Sequence, residues 1–201
     1  MNGTVLANRS AIDRNTTDFY RTPPEVTVAL LNFLEEHGDI RPKRGTTIWD
    51  PACGTGEMVE AMKEKGYGVV YSDLYPTSYN RSGIPVDFLT DEPPRFVDYD
   101  WIITNPQFSQ AEKFIRRALE LGKPCAFLLK SQFWHARSRF ALFREHPPSY
   151  VLPLTWRPDF LWGAKAGSPT MEVLWTVWNG DDFVTGYVPL ERPKLKEAPH
   201  G

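Results

Sequence analysis

The sequence has few of the features that define several common classes of protein. Its 201 residues include only two cysteines, Cys53 and Cys125, and neither has a second cysteine or a histidine at metal-ligand spacing. We therefore expect neither a disulfide nor a metal site. No apolar run approaches the roughly 20 residues that span a bilayer, and the polar opening MNGTVLANRSAIDRN lacks the apolar core of a secretory signal. A cytoplasmic protein without a membrane partner is the expectation.

An overall excess of basic residues is also lacking. The formal net charge is -2, which argues against a uniformly basic coat for nucleic acid. The charge is nevertheless unevenly distributed, because residues 45–112 contain four Lys/Arg and eleven Asp/Glu, whereas residues 113–165 contain ten Lys/Arg and three Asp/Glu. The first part suits a cationic or hydroxyl-rich ligand and the second a polyanion. Solvated helix faces that differ in sign would explain the same pattern.

A chain of this length is expected to form one domain with a substantial core. We expect a flexible N-terminal segment over residues 1–17, a single domain over 18–189, and a flexible tail over 190–201, which is polar and contains proline.

Apolar periodicity and turn residues predict alternating helices and strands. Helices are predicted over about residues 23–37, 57–65, 109–122 and 132–145, and strands over about 46–49, 69–71, 101–104, 124–130 and 171–178. This alternation indicates a mostly parallel sheet covered on both faces.

Three local signals refine these elements. Thr22 with Glu25 matches the capping-box pattern at a helix start, and Ser109 with Glu112 repeats it. Asn179-Gly180 is a strong hairpin dipeptide and predicts that residues 182–188 return antiparallel to the strand before it.

The stretch DPACGTG, residues 50–56, ends the first predicted strand. Glycines at 54 and 56 allow close approach to a ligand and a sharp turn into the next helix, and Asp50 can reach a cationic group. Asp73 ends the next strand about 20 residues on, where an acid accepts hydrogen bonds from ribose hydroxyls. No Gly-Lys-Ser/Thr follows, which excludes a P-loop. A structural turn with a surface aspartate is the alternative.

A second unusual stretch, TNPQF over residues 104–108, follows the strand 101–104. An Asn-Pro turn that ends a strand is one interpretation. Together with DPACGTG and with Ser72-Asp73, however, it resembles the adenine-N6 DNA methyltransferases that use S-adenosylmethionine, in particular their small phage and prophage members. The resemblance covers about residues 18–130, and the later WRPDFLWGAKAGSPTMEVLWTVW is similar to the family's closing strands and the loop before them.

The resemblance implies a fold, a cofactor and a set of site residues. The implied fold is a doubly wound, Rossmann-like α/β domain, whose mostly parallel seven-stranded sheet has its last strand antiparallel. S-adenosylmethionine is the implied cofactor and nucleic acid, foremost DNA, the implied partner. The residues matched to the cofactor are Phe19, Tyr20, Thr22, Asp50, Ala52, Gly54, Gly56, Asp73 and Asp87, and those matched to the target base are Asn105, Pro106 and Phe108. A surface role for Asp87 is about equally compatible with the sequence.

The chemistry of the Asn-Pro motif follows from the target group. An adenine amino nitrogen is a poor nucleophile because its lone pair is delocalised into the ring. The Asn105 side-chain oxygen and the Pro106 carbonyl can each accept one amino hydrogen and align the lone pair, so that positioning and electrostatics supply the rate. Phe108 can stack on a base that has been flipped out of its duplex.

Further substrate contacts are expected around this motif. The candidates are Gln107, Lys130, Arg137, Arg139, Trp162 and Lys165. Lys130 would serve equally as a strand-end charge, and Trp134, near the two arginines, fits the core better than a nucleic-acid face. The loop over residues 157–170, rich in glycine and proline, suits a mobile substrate-gripping segment or an ordinary connection.

Two departures from the family pattern leave alternatives open. Gln107 replaces the usual second proline, and too few residues follow position 150 for a recognition domain. Specificity is therefore low, or comes from the 157–170 loop and a partner chain in a homo- or hetero-oligomer. The same motif serves methyltransferases of RNA amino groups and of protein glutamine, and a catalytically silent nucleic-acid-binding subunit is a third alternative.

Overall fold

The computed structural model describes residues 21–40, 45–80, 85–92, 98–160, 171–180 and 184–195. Within these residues one sheet contains seven strands: β1 (Thr47–Asp50), β2 (Gly68–Tyr71), β3 (Trp101–Thr104), β4 (Cys125–Lys130), β5 (Tyr150–Pro153), β6 (Val173–Trp178) and β7 (Gly186–Tyr187). The helices are α1 (Pro24–Glu36), α2 (Glu57–Glu64), α3 (Ala111–Glu120) and α4 (Phe140–Glu145). Neighbouring strands follow the order β2-β1-β3-β4-β6-β5-β7.

The sheet is mostly parallel, as the sequence predicts. β1 pairs in parallel with β2 and β3, and β3 pairs in parallel with β4. β6 is antiparallel to both of its neighbours, β4 and β5. The antiparallel strand is thus the sixth along the chain rather than the last, because the short β7 follows it and pairs in parallel with β5.

Helices cover both faces of the sheet. Apolar side chains of α1 and α2, such as Leu30 and Met62, pack on one face with Ile48 and Trp175. Those of α3 and α4 pack on the other face in a second core cluster, which contains Ile115 and Leu142. The central strands are buried on both faces, so all four residues of β3, WIIT, are buried and polar and apolar residues do not alternate.

The two predicted capping boxes are wrong. Pro23 occupies the N-cap of α1 without a side-chain cap, and the hydroxyl of Thr22 instead accepts a hydrogen bond from Asn105. Before α3, a 3-10 turn at Phe108–Gln110 puts Gln110 at the N-cap, again without a side-chain cap. At α1 the polar side chain thus has a tertiary partner in place of the local one.

The predicted helix over 132–145 is interrupted at Ala136. Ser131–His135 and Arg137–Arg139 are 3-10 turns separated by an extended Ala136 with φ -91° and ψ 122°, and only α4 is α-helical. The break brings the rings of Trp134 and Phe143 into a parallel stack with their centroids 4.2 Å apart. Stacking across the break therefore replaces a continuous helix.

The predicted hairpin after Asn179-Gly180 is also wrong. Both edges of β6 are already paired, to β4 and to β5, so the following segment cannot return beside it. The strand β5 that occupies this place was not predicted.

Leu190 and Arg192, which the sequence analysis assigned to the tail, contact the rest of the domain. Leu190 is buried and forms a parallel bridge with Leu154, and its carbonyl accepts the N–H of Thr155 at 3.1 Å. Arg192 then forms an ion pair with the nearly buried carboxylate of Glu25, 2.7 Å away. The chain thus returns to the first turn of α1.

Cys53 and Cys125 are buried and unpaired. None of the described helices has the length and apolarity to span a membrane.

Candidate active site

The candidate site lies where the carboxyl ends of β1 and β3 meet. The chain leaves β1, forms α2 and returns as β2 on one side, whereas β3 lies on the other side of β1. A doubly wound sheet binds its ligands in the crevice that such a reversal creates. The DPACGTG loop and the TNPQF stretch therefore leave the sheet side by side.

The glycine loop adopts a conformation that needs glycine at two points. Gly54 and Gly56 have φ values of 53° and 91°, in the left-handed region, and Gly56 is the N-cap of α2. The N–H of Gly54 donates to the Asp73 carboxylate at 2.9 Å. A β-carbon at Gly56 would lie 2.2 Å from the ring of Tyr79. The loop is thus closed on one side by a tyrosine that the sequence did not single out.

Asp50 is a buried acid at the centre of the crevice. Its Oδ1 accepts hydrogen bonds from the Ala52 N–H at 3.2 Å and from the Thr104 hydroxyl at 2.7 Å. Its Oδ2 is buried and has no partner among the described residues. Burial raises the pKa of Asp50 to about 7, and the nearby charge of Asp73 contributes in the same direction. The unpaired oxygen suits a cationic or hydrogen-donating ligand group.

Asp73 and Asp87 lie in adjoining loops. The Asp73 carboxylate accepts the Tyr75 N–H at 3.1 Å as well as that of Gly54, and burial raises its pKa. Val86 donates its N–H to the Asp73 carbonyl at 3.0 Å, which brings the next residue, Asp87, alongside. The Asp87 carboxylate accepts the Leu89 N–H at 2.9 Å and so caps its own turn.

Asn105 is held in one orientation by Thr22. Its Nδ2 donates to the Thr22 hydroxyl at 2.9 Å, and its Oδ1 is buried without a partner among the described residues. The neighbouring Pro106 is buried. Thr104, which donates to Asp50 Oδ1, immediately precedes Asn105, so both residues with an unpaired oxygen lie at the carboxyl ends of the adjacent strands β1 and β3. Thr104 carried no sequence signal, since a β-branched residue is ordinary at the end of a strand.

Gln107 and Phe108 follow with different exposures. Gln107 is exposed, and its φ of -52° lies within the range of proline. Phe108 is half-buried, and the Lys130 ammonium lies 4.2 Å from its ring centroid. Lys130, at the end of β4, thus lies beside the TNPQF stretch.

A cavity of about 210 Å³ opens beside these two residues. Phe108, Lys130, Phe133, Ala136 and Arg139 are among its lining residues. Arg139 forms an ion pair with Glu112 at 2.9 Å and lies over the Phe133 ring, whereas Arg137 is exposed. The structure brings Arg139 to this cavity and leaves Arg137 on the surface outside it.

Four residues that the sequence matched to ligands fall outside the described part of the chain. These are Phe19, Tyr20, Trp162 and Lys165. The residue after Tyr20, Arg21, pairs with Glu57 at the start of α2, which joins the approach to α1 to the glycine loop.

No protein-family profile matches the sequence, and a comparison with curated proteins gives no match. Solved structures do match. A protein described as an RNA methyltransferase from Pyrococcus horikoshii superposes with a TM-score of 0.58 at 16% identity, over 81% of this chain and 86% of that one. A protein described as a class I S-adenosylmethionine-dependent methyltransferase from Listeria monocytogenes gives a TM-score of 0.53 at 17% identity, over 84% and 65%. The chain has the class I methyltransferase fold.

The same fold occurs as part of a larger protein. The type IIG restriction endonuclease BpuSI gives a TM-score of 0.58 at 14% identity, with 85% of this chain matched to 26% of that one. The present chain therefore spans about two thirds of the Listeria protein and about a quarter of the endonuclease. In a doubly wound sheet, ligands bind in the crevice at the carboxyl ends of the strands, which in this chain lies between β1 and β3.

Proposed function

We propose that the protein transfers a methyl group from S-adenosylmethionine to the exocyclic N6 amino group of adenine in DNA. The observation that carries the proposal is the pair of buried oxygens without a partner among the described residues, Asn105 Oδ1 and Asp50 Oδ2, at the carboxyl ends of the adjacent strands β1 and β3 of a class I methyltransferase fold. Most buried polar atoms have a hydrogen-bond partner, and a ligand in the crevice would provide one for each of these two oxygens.

The residues of the glycine loop fit the cofactor. Asp50 Oδ2 offers an acceptor for its ammonium group, and the left-handed Gly54 and Gly56 let the chain turn sharply from β1 into α2 around the ligand position. Asp73 at the end of β2 is suited to the ribose hydroxyls, and Asp87 in the adjoining loop to the adenine amino group. When bound, the cofactor supplies an electrophilic methyl group on a sulfonium.

The chain's own residues would then prepare the amine. Asn105 Oδ1 and the Pro106 carbonyl each accept one hydrogen of the target amino group, which directs its lone pair toward the methyl donor. Phe108 provides an aromatic face for the base, and Lys130 places a positive charge over that ring. As the bond between the amine and the methyl group forms and the methyl–sulfur bond breaks, the amine releases one hydrogen as a proton to water. Because alignment and electrostatics lower the barrier, no strongly basic side chain is required in this mechanism.

Two lines of support favour a nucleic acid as the partner. The comparison structures include a restriction endonuclease and a protein described as an RNA methyltransferase. Residues 113–165 contain ten Lys/Arg and three Asp/Glu, which suits a polyanion. DNA adenine is our first candidate and an RNA amino group is the second. Site choice by the 157–170 loop or by a partner chain remains part of the proposal.

The decisive experiment follows a labelled methyl group. The protein is incubated with labelled S-adenosylmethionine and, separately, with duplex DNA, single-stranded DNA, RNA and cell protein, and the modified nucleoside or residue is identified by mass spectrometry. We expect N6-methyladenine in DNA. Label in RNA or in glutamine would replace the substrate assignment. No label in any polymer, although calorimetry detects cofactor binding, would refute methyl transfer to these substrates.

Asn105→Ala tests the assigned role of the amide. It should reduce transfer at least 100-fold, the order expected for loss of a positioned transition-state acceptor, while cofactor affinity is retained. Asn179→Ala is a matched control, because Asn179 is also a half-buried amide that donates one hydrogen bond, to Asp39 at 2.9 Å, but at the other end of the sheet. Equal loss in both variants would point to a general structural effect.

A further inference from the structure

A groove on the surface beyond the candidate site combines one exposed aromatic ring, that of Phe140, with two arginines and two half-buried rings. The groove, of about 780 Å³, is formed by the segment after β4, and we call it the aromatic-basic groove. Its main side chains are Trp134, Arg137, Phe140, Phe143 and Arg144. Phe140 is 63% exposed, which is unusual for a phenylalanine, and the Arg144 guanidinium lies 5.7 Å from its ring centroid. An exposed ring beside arginines, within a groove, suits a ligand that offers flat faces and negative charge.

The arginines of the groove differ from the others in the described residues. Eight arginines are described, and six of them lie within 4.0 Å of a carboxylate: Arg21, Arg116, Arg117, Arg139, Arg157 and Arg192. The remaining two, Arg137 and Arg144, have no carboxylate partner within the described part of the chain, and both line the groove. Their charges are therefore available to an anionic ligand.

The groove is continuous with the candidate site. Ala136 lines both the aromatic-basic groove and the cavity beside Phe108 and Lys130. The extended backbone at Ala136, which breaks the predicted helix, is the point where the two depressions meet. A polymer that places one unit at Phe108 can therefore continue across Ala136 to Phe140.

The chemistry of the groove selects among polymers. Duplex DNA presents phosphates to a protein, but its bases are stacked on each other and cannot pack on exposed rings. An unpaired strand offers both phosphates for guanidinium groups and base faces for stacking. We propose that the aromatic-basic groove binds unpaired nucleotides next to the target base, so that the preferred substrate is a single-stranded or locally opened polynucleotide. This inference rests on the proposed function and specifies the strandedness of its substrate.

The role of the ring is tested at Phe140. Because the side chain is mostly exposed, its replacement should leave the fold intact. Fluorescence anisotropy is measured with a labelled single-stranded oligonucleotide, its duplex form and a base-free polyphosphate of similar length. Phe140→Ala and Phe140→Leu should each weaken single-strand binding about tenfold, within the range of one lost stacking contact, and Phe140→Tyr should preserve it. Full retention in Phe140→Leu would show that aromatic stacking is not used.

The role of the charges is tested by the pair Arg137→Gln/Arg144→Gln. For single strands, removal of two phosphate contacts should reduce the slope of log affinity against log salt by about 1.4. The pair Lys113→Gln/Lys194→Gln removes two other exposed charges and should change the slope much less. Equal effects of the two pairs would mean that only net charge matters.

The outcomes separate this inference from the proposed function. Preference for duplex, or polyphosphate binding as tight as that of the oligonucleotide, would overturn the unpaired-strand proposal even if DNA is methylated. Loss of a dimer in Phe140→Ala on sedimentation, with oligonucleotide binding unchanged, would overturn it in favour of a contact between two copies. Conversely, selective single-strand binding that depends on Phe140 would support the groove even if no methyl transfer is detected.

Discussion

Thr22 controls the orientation of the amide that would hold the target amine. It is buried, and its hydroxyl is the acceptor for Asn105 Nδ2. Thr22→Val keeps the shape of the side chain and removes the acceptor, so the amide loses its preferred orientation. We expect a roughly tenfold lower transfer rate at saturating cofactor, the equivalent of one neutral hydrogen bond.

Thr22→Ser restores the hydroxyl and serves as the matched control. It should recover most of the rate, and denaturant unfolding of both variants should show that the fold is retained. A valine variant as active as the parent would mean that Thr22 does not orient Asn105. The sequence matched Thr22 to the cofactor and to a helix cap, because a contact between residues 83 positions apart leaves no local signal.

Protonation of the Asp50 carboxyl should affect the free energy of unfolding. Its pKa is raised from an ordinary 3.8 to about 7, mainly by burial. Between these pH values the folded protein binds more protons than the unfolded chain, so the free energy of unfolding should fall as pH rises, by up to about 1.4 kcal/mol per pH unit. Asp50→Asn keeps an oxygen for Ala52 and Thr104 and does not titrate.

Urea denaturation across this pH range checks the Asp50 prediction. The parent protein should lose stability from about pH 4 to pH 7, and the Asp50→Asn variant should lack that component. Parallel curves for the two proteins would indicate that Asp50 is ionised throughout. The sequence predicted an acid at this point of the loop, but not its burial, which depends on the packing of β3 against β1.

At the scale of the elements, the start of α2 depends on the contact between Gly56 and Tyr79. Gly56→Ala forces a left-handed residue, at about 1–2 kcal/mol, and also pushes a β-carbon into the tyrosine ring. Gly122→Ala at the end of α3 has a similar positive φ of 64° but meets nothing within 4 Å. We expect the Gly56 variant to lose distinctly more stability than the Gly122 variant in denaturant unfolding.

The double variant Gly56→Ala/Tyr79→Ala isolates the steric component. It should be less destabilised than the sum of the two single variants, because removal of the ring relieves the clash. Strict additivity would indicate that the ring moves aside at no cost.

The elements also show what local sequence can predict. The apolar runs of β1 to β4 and the periodicity of α1 to α3 are local, so their positions were predicted to within a few residues. The break at Ala136 was not, since it depends on the stacking of Trp134 on Phe143. The position of residues 184–190 in the sheet was not predicted either. A hairpin dipeptide does not show whether the edge of the preceding strand is already paired with another strand.

For the molecule as a whole, cofactor binding should be visible as thermal stabilisation. A ligand at 100 times its dissociation constant stabilises the folded state by about 2.7 kcal/mol, which should raise Tm by roughly 5–10 °C for a domain of this size. Asp73→Asn removes the carboxylate proposed to bind the ribose hydroxyls and should reduce the shift at the same concentration of S-adenosylmethionine. The control Arg144→Gln changes a residue of the aromatic-basic groove and should leave the cofactor-induced shift in Tm unchanged.

Differential scanning fluorimetry over a series of cofactor concentrations checks this prediction. No shift at any concentration would contradict the assignment of the glycine loop to the cofactor. The fold class was predictable because two short motifs and strand-helix alternation point to the same architecture. The aromatic-basic groove was not, because its shape depends on the break in the predicted helix at Ala136.

The position of β6 has a consequence for how the chain folds during synthesis. β6 lies between β4 and β5, although both of those strands precede it in the sequence. A nascent chain that ends before residue 173 therefore carries two strands with unpaired edges and a gap in its sheet. Trp175 in this strand also donates its indole N–H to the Val26 carbonyl at 3.0 Å, across 149 residues. The helix that follows Thr22 thus gains its contact with Trp175 only when the late strand inserts, so we expect slow, largely post-synthetic completion of the site and a need to shield those edges until then.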